Sequence, residues 1–147
     1  MNPITDKSKE LTASIRLLNE KLHFEGKVDG NEPISLDYTP PLGDNLGYTS
    51  LELLLLSLSS CVGSAILTFL RKMQKTITAC DISAKGTRRE EHPTCFKTIA
   101  LSINLSSPDT TSEDLNKVLK LSEETYCPVW AMLKGNVEVN VMCTIHS

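Results

Sequence analysis

Eighteen consecutive residues, Leu53 to Leu70 (LLLLSLSSCVGSAILTFL), carry no charge, and Arg71, Lys72 and Lys75 follow directly. A run of that length has to leave water, either across a bilayer or through the middle of a folded core. Ser57, Ser59, Ser60, Gly63, Ser64 and Thr68 dilute it, and the segments on both sides alternate polar with apolar residues as strands of a folded sheet do. The expectation is therefore a long, centrally buried helix of a globular domain, with no membrane partner. Thr49-Ser50-Leu51-Glu52 reads as a capping box, with Thr49 as N-cap and Glu52 reaching back to the N-cap amide. The helix is expected to run from there to about Lys75.

Upstream, Leu11, Ala13, Ile15 and Leu17 alternate with Thr12, Ser14 and Arg16, the period-two pattern of a half-buried strand. Leu22, Phe24 and Val28 continue it less regularly. Ile34, Leu36 and Tyr38 repeat it after Asp29-Gly30-Asn31, a composition suited to a positive-φ hairpin turn. These make a three-stranded meander, followed by a loop over Thr39 to Tyr48 with two prolines and two glycines. Downstream, Cys80, Ile82 and Ala84 alternate, as do Ile99, Leu101, Ile103 and Leu105, giving a hairpin around Glu91-His92-Pro93. A second, amphipathic helix carries Leu115, Val118, Leu119 and Ser122 on one face until Cys127-Pro128 interrupts it. Proline is favoured at a first helical position, so Pro128 is expected to open a short helix to Leu133 with Cys127 as its N-cap. Val137, Val139, Val141 and Cys143 form a last strand. The order is βββ-α-ββ-α-β and the class α+β, helix packed on sheet. At 147 residues and 16.2 kDa, residues 1–147 are the size of one domain.

Composition removes several functions. Fifteen Lys plus Arg against eighteen Asp plus Glu, net charge −3, leave no basic field for nucleic acid. Five cysteines without a C-x-x-C pair fit neither a zinc ribbon nor a secreted disulfide framework. Met1 to Glu10 is polar, so no secretory signal is expected and a reducing cytoplasm is the expected compartment. His23, His92 and His146 lack ligand spacing, so no metal is assigned. Gly43 and Gly47 flank Asp44 and Asn45 but match no phosphate-cradling fingerprint, and no cofactor is expected.

The thiols carry the chemistry that is left. Cys61 lies halfway along the long helix, with Ser57, Ser64 and Thr68 at offsets of four, three and seven, on one small polar stripe. Two readings stand: a close helix contact with Cys61 as a small core residue, or a functional thiol whose ionised form needs a cation or hydrogen-bond donors. Cys127 also has two. It is either a plain cap before a breaking proline or a thiol activated by the free N–H groups and dipole of a helix start, and taken alone it is the more reactive of the pair. Glu52 is explained by capping without catalysis, and equally by a catalytic role. Cys80, Cys95 and Cys143 sit on strand patterns or beside a turn and are assigned to packing.

Taken together, the loop LGDNLGYTSLELL, the helical cysteine in LSLSSCVGSAI and the segment LSEETYCPVWAML resemble the OsmC/Ohr family, and the element order agrees along nearly the whole chain. The resemblance implies an intertwined homodimer whose sheets wrap two central helices, with paired cysteine sites at the interface. It also implies thiol-dependent reduction of organic hydroperoxides in oxidative-stress defence. In that pattern Cys61 is the peroxidatic thiolate, Cys127 condenses with its sulfenic acid to a disulfide, and an external dithiol restores both. An arginine near the N-terminal hairpin holds the thiolate, positioned by a carboxylate near the helix start.

The chain departs from the hydroperoxidase branch at both supporting positions. Ten residues before Cys61 stands Leu51, where that branch has its carboxylate, whereas Glu52, nine before, is like another OsmC-like branch. The hairpin reads Asn19-Glu20-Lys21, so Arg16 on the first strand, or Lys21, is the candidate cation. These departures give the alternative expectation, an OsmC-like dimeric ligand-binding or redox-sensing module with little or no peroxidase turnover.

Overall fold

A computed structural model of the protein describes residues 6–147. The elements are β1 (Ser14–Leu17), β2 (Phe24–Lys27), β3 (Ile34–Leu36), α1 (Ser50–Lys72), β4 (Ala79–Arg88), β5 (Phe96–Ser106), α2 (Ser112–Leu121), a π-helical turn (Ser122–Tyr126), α3 (Pro128–Leu133) and β6 (Glu138–His146). The expected α+β order βββ-α-ββ-α-β is the one observed. The chain forms two compact units, one ending at Leu53 and the other running from Leu54 to Ser147.

In the first unit β1, β2 and β3 form an antiparallel meander, with Ile15 opposite Gly26 and Phe24 opposite Leu36. The hairpin turn uses Gly30 at φ +89°, a conformation that side chains with a Cβ rarely adopt. The strands are shorter than the alternation in sequence, and the pattern is not half-buried: Ile15 is 62% and Leu17 52% exposed in the single chain.

The loop after β3 is built around Asp37. Its buried carboxylate accepts the backbone N–H groups of Tyr38 (2.7 Å), Asp44 (3.2 Å) and Leu46 (3.1 Å). Burial alone would push this carboxyl up. The N–H groups of Leu46, Tyr38 and Asp44, with the charge of His23, outweigh it and hold Asp37 below the usual carboxylate range. The loop then returns to β3, where the Tyr48 N–H donates to the Ser35 carbonyl (2.9 Å) and the Asp37 N–H to the Tyr48 carbonyl (3.1 Å). A Cβ at Gly43 would run into the Tyr38 carbonyl and the Asp37 carboxylate, and one at Gly47 into the Ser35 carbonyl. Both glycines permit close backbone approach and deliver Thr49 to the start of α1.

In the second unit β5 is central, antiparallel to β4 and parallel to β6. Phe96, Ile99, Leu101, Ile103 and Leu105 present one buried face of β5. Leu58, Val62, Ile66 and Leu70, spaced by four along α1, are fully buried, with Leu115 and Val118 of α2 and Trp130 of α3 completing the core. A Cβ on Gly63 would stand 3.0 Å from Ile82 Cδ1, so α1 lies close upon β4. By length and composition α1 is able to cross a membrane, yet this stripe of it is core. The remaining faces are not enclosed as a centrally buried helix requires: Leu56 is 55% exposed.

Helix α1 stops at Lys72, short of the expected Lys75, because Gln74 takes a left-handed conformation (φ +62°) and the Lys75 N–H turns back to the Leu70 carbonyl (3.0 Å). Lys75 then pairs with Asp114 (3.1 Å) at the start of α2. Helix α2 opens on a capping box. Thr111 Oγ1 accepts the Asp114 N–H (3.1 Å) and Asp114 Oδ2 accepts the Thr111 N–H (2.9 Å).

Two substitutions test this architecture. Thr111→Ala is expected to cost about 1 kcal/mol by removing the cap. Gly47→Ala is expected to cost about 1–3 kcal/mol, because its new methyl group meets backbone rather than a movable side chain. Both are read as a lower urea midpoint at unchanged m. A wild-type midpoint for Gly47→Ala would show that the loop yields without penalty.

Candidate redox site

Cys127 is placed by backbone chemistry. Pro128 occupies the first position of α3, and Cys127 caps that helix at φ −95°, ψ 101°, its Sγ accepting the Trp130 N–H at 3.4 Å. Just before it, the π-helical turn Ser122–Tyr126 adds one residue to the winding and closes with the Cys127 N–H on the Ser122 carbonyl (2.9 Å). The Cys127 side chain ends in the core, 2% exposed. Its Sγ donates to the Sγ of Cys61 on α1 at 2.7 Å, across a sequence separation of 66 residues. Both thiols are free. They touch, whereas a disulfide would require a bond of about 2.05 Å.

Cys61 is partly exposed and opens into a groove of about 480 Å³, lined also by Ser64, Ala65, Thr68, Phe69, Lys72 and Tyr126. The expected polar stripe is there, and the Thr68 hydroxyl donates to the Ser64 carbonyl (2.6 Å). The groove continues beyond Thr68, the expected end of the stripe. Phe69 and Lys72 lie eight and eleven positions beyond Cys61, offsets that stay near the same helix face. Tyr126 adjoins Cys127 in sequence, and its ring packs on Phe69 with centroids 4.7 Å apart.

The two sulfurs differ in electrostatics. Burial pushes the Cys127 thiol up, the hydrogen bond to Cys61 pushes it further, and the Trp130 N–H only partly offsets them, leaving it at about 11. At neutral pH Cys127 is therefore a protonated donor aimed at Cys61. The helix start does not lower this thiol as expected, because the N–H groups of Trp130 and Val129 do not compensate for removal from water. Burial also pushes up Cys80, with Asp81 adding to the effect, and Cys143. Cys95 is exposed.

The remaining candidates, Glu52, Arg16 and Lys21, each have a partner within the first unit. Glu52 accepts the N–H (2.9 Å) and hydroxyl (2.8 Å) of Thr49, as the capping box predicts. Those bonds, the backbone one first, hold it below the usual carboxylate range. Arg16 pairs across the meander with Glu25 (3.6 Å), and Lys21 with Asp44 (2.7 Å). Among the described residues no group of three potential ligands could hold a metal ion.

Comparison with known proteins fits this arrangement. Protein YhfA of Escherichia coli K12 is 27% identical over 120 residues, covering 82% of this chain and 87% of YhfA. The crystal structure of an OsmC-like protein from Mycoplasma pneumoniae superposes with a TM-score of 0.81 at 21% identity, covering 95% of this chain and 99% of that one. An organic hydroperoxide resistance protein from Elizabethkingia anophelis shares the fold, with a TM-score of 0.71 at 17% identity over 99% of this chain and all (100%) of the other. Residues 43–142, from the glycine loop through both cysteines to β6, match the family described as OsmC-like protein, and the chain belongs to that family.

Proposed function

We propose that this protein is a two-cysteine thiol peroxidase that reduces organic hydroperoxides, with Cys61 as nucleophile and Cys127 as resolving thiol, working in the cytoplasm as a homodimer. The carrying observation is the 2.7 Å contact between a buried, protonated Cys127 and a Cys61 that faces a groove. The contact makes the second step nearly a unimolecular collapse.

The Cys61 thiolate attacks the distal oxygen of ROOH and the O–O bond breaks. The oxygen stays on sulfur as Cys61–SOH, and the departing alkoxide takes a proton from water to leave as ROH. Cys127–SH then displaces hydroxide from that sulfur, forming the Cys61–Cys127 disulfide and, with the thiol proton, one water. An external dithiol reduces the disulfide by exchange and leaves as its own disulfide.

The name of the Elizabethkingia relative, organic hydroperoxide resistance, supports the substrate class. Exposed Leu11, Ile15, Leu17 and Leu42 in the first unit support the dimer, because isolated soluble chains rarely leave such groups in water together. Arg16 and Glu52 enter as the family pattern's cation and positioning carboxylate. Since Arg16 is taken by Glu25 and Glu52 by Thr49, a second reading retains weight, a dimeric sensing module that oxidises once without turning over.

With stoichiometric cumene hydroperoxide, peptide mass spectrometry is expected to show a Cys61–Cys127 disulfide. Cys127→Ser should stop at a dimedone-trappable sulfenic acid and Cys61→Ser should consume no peroxide. Two persistent free thiols in the wild type would reject the mechanism, and disulfide formation without dithiol-supported turnover would favour the sensor. Stability should also depend on pH with a defined sign. The folded-state value of Cys127 lies above the ordinary thiol value of 9.0, so its contribution is fully present below about 9 and is lost as pH rises through about 11. Denaturant midpoints of the reduced protein are expected to fall over that window, less steeply in Cys127→Ala. Cys80 and Cys143 add to the fall with the same sign.

A further inference from the structure

Cys61 and Cys127 sit on two arms of the second unit that are tied together at their far ends. From Cys61, fourteen residues of α1 and its closing turn lead to Lys75, and from Cys127, thirteen residues back through the π-helical turn and α2 lead to Asp114. There Lys75 Nζ lies 3.1 Å from Asp114 Oδ2 and donates to the Asp109 carbonyl at 3.0 Å. The Thr76 N–H donates to Asp109 Oδ1 at 2.8 Å beside it. The Lys75 and Asp114 side chains are only 24% and 20% exposed, a more sheltered pair than Arg16 with Glu25 or Lys21 with Asp44. Both partners are set before they meet, Asp114 by its capping box with Thr111 and Lys75 by its N–H on the Leu70 carbonyl. Leu115 and Val118 hold α2 on the core, but apolar burial is non-directional and leaves the position of a helix along its own axis loosely defined. A charge-assisted bond has direction and defines it.

We propose that Lys75 is a positioning residue for the sulfur pair: its bond to Asp114 sets the axial register of α2 against α1 and, through the two arms, the approach of Cys127 to Cys61. The inference rests on these two thiols pairing and is indifferent to the peroxide that oxidises them. A hydrogen-bonded helix transmits a shift along its axis, so a slip at Asp114 reaches the far end of its arm. Misplacement of reacting atoms by about 1 Å can cost up to 10²-fold. In the oxidised protein the disulfide fixes the register itself. The ion pair therefore counts most in the reduced protein, where it holds two unbonded sulfurs in contact.

The test is the thiol–disulfide equilibrium with glutathione, which needs no peroxide. Glutathione disulfide gives up its S–S bond, the Cys61–Cys127 bond forms, and two glutathione thiols leave with the two protein protons. The equilibrium constant is the effective concentration of one protein thiol at the other, read by alkylation and peptide mapping of Cys61 and Cys127. It is expected to fall about fivefold in Lys75→Met and to stay at the wild-type value in Lys75→Arg. Asp114→Asn, which keeps a cap acceptor but loses the charge, should match Lys75→Met, and the double variant should be no worse than either single one. Val141→Ala, paired with Leu101 on the β6 side of the core, should lower the urea midpoint and leave the equilibrium unmoved. An equal constant in wild type and Lys75→Met, or a fall in Val141→Ala as large as in Lys75→Met, would overturn the positioning role and leave the two-cysteine mechanism standing. A wild type that forms no Cys61–Cys127 disulfide at any glutathione ratio would overturn both.

Discussion

The contact between two sulfur atoms 66 residues apart depends on constraints from both sides of the second unit's core. One comes from the middle of a helix whose stripe of Leu58, Val62, Ile66 and Leu70 is fixed in the core. The other comes from a cap whose geometry is set by a proline on one side and a π-helical turn on the other. Each constraint is local, so the contact is pre-formed, and in the proposed chemistry little conformational entropy remains to be lost. The groove beside Cys61 completes the site, giving one sulfur access while the core keeps water from its partner.

The state of the Cys127 thiol follows from solvation more than from helix position. A helix start stabilises an anion through its free N–H groups and dipole. For Cys127 that gain is smaller than the penalty of charging a sulfur that is 2% exposed, so the proton stays and is shared toward Cys61. The same balance resolves the other way at Asp37, where three backbone N–H groups converge on one carboxylate and outweigh its burial. At Cys127 the N–H groups of Trp130 and Val129 do not outweigh burial, whereas at Asp37 those of Leu46, Tyr38 and Asp44 do.

Much of this was legible in the chain itself, and what was not has definite causes. The element order, the capping box at Thr49 and Glu52, the N-cap role of Cys127 and the polar stripe through Cys61 are patterns of period and of local hydrogen bonding, which sequence carries directly. The N-terminal alternation did place strands, but read as half-burial it misjudged Ile15 and Leu17, because alternation records which side is apolar and not whether anything in the same chain covers it. The end of α1 at Lys72 depended on the left-handed backbone of Gln74, a conformation with no residue signature there. Arg16 and Lys21 were candidates by charge alone. Their partners, Glu25 and Asp44, come from strand register and loop folding, which no spacing rule supplies.

The π-helical turn ahead of Cys127 works as a length gauge. Its one surplus residue rotates everything after it by about 100° and advances it by about 1.5 Å relative to regular winding. Its first residue, Ser122, is buried, and the Ser122 hydroxyl has no hydrogen-bond partner. Regular α-helical winding of these same residues would swing the second sulfur out of line. Both cysteines would remain in the sequence, and any survey that recognises this chemistry by counting them would pass such a protein as intact.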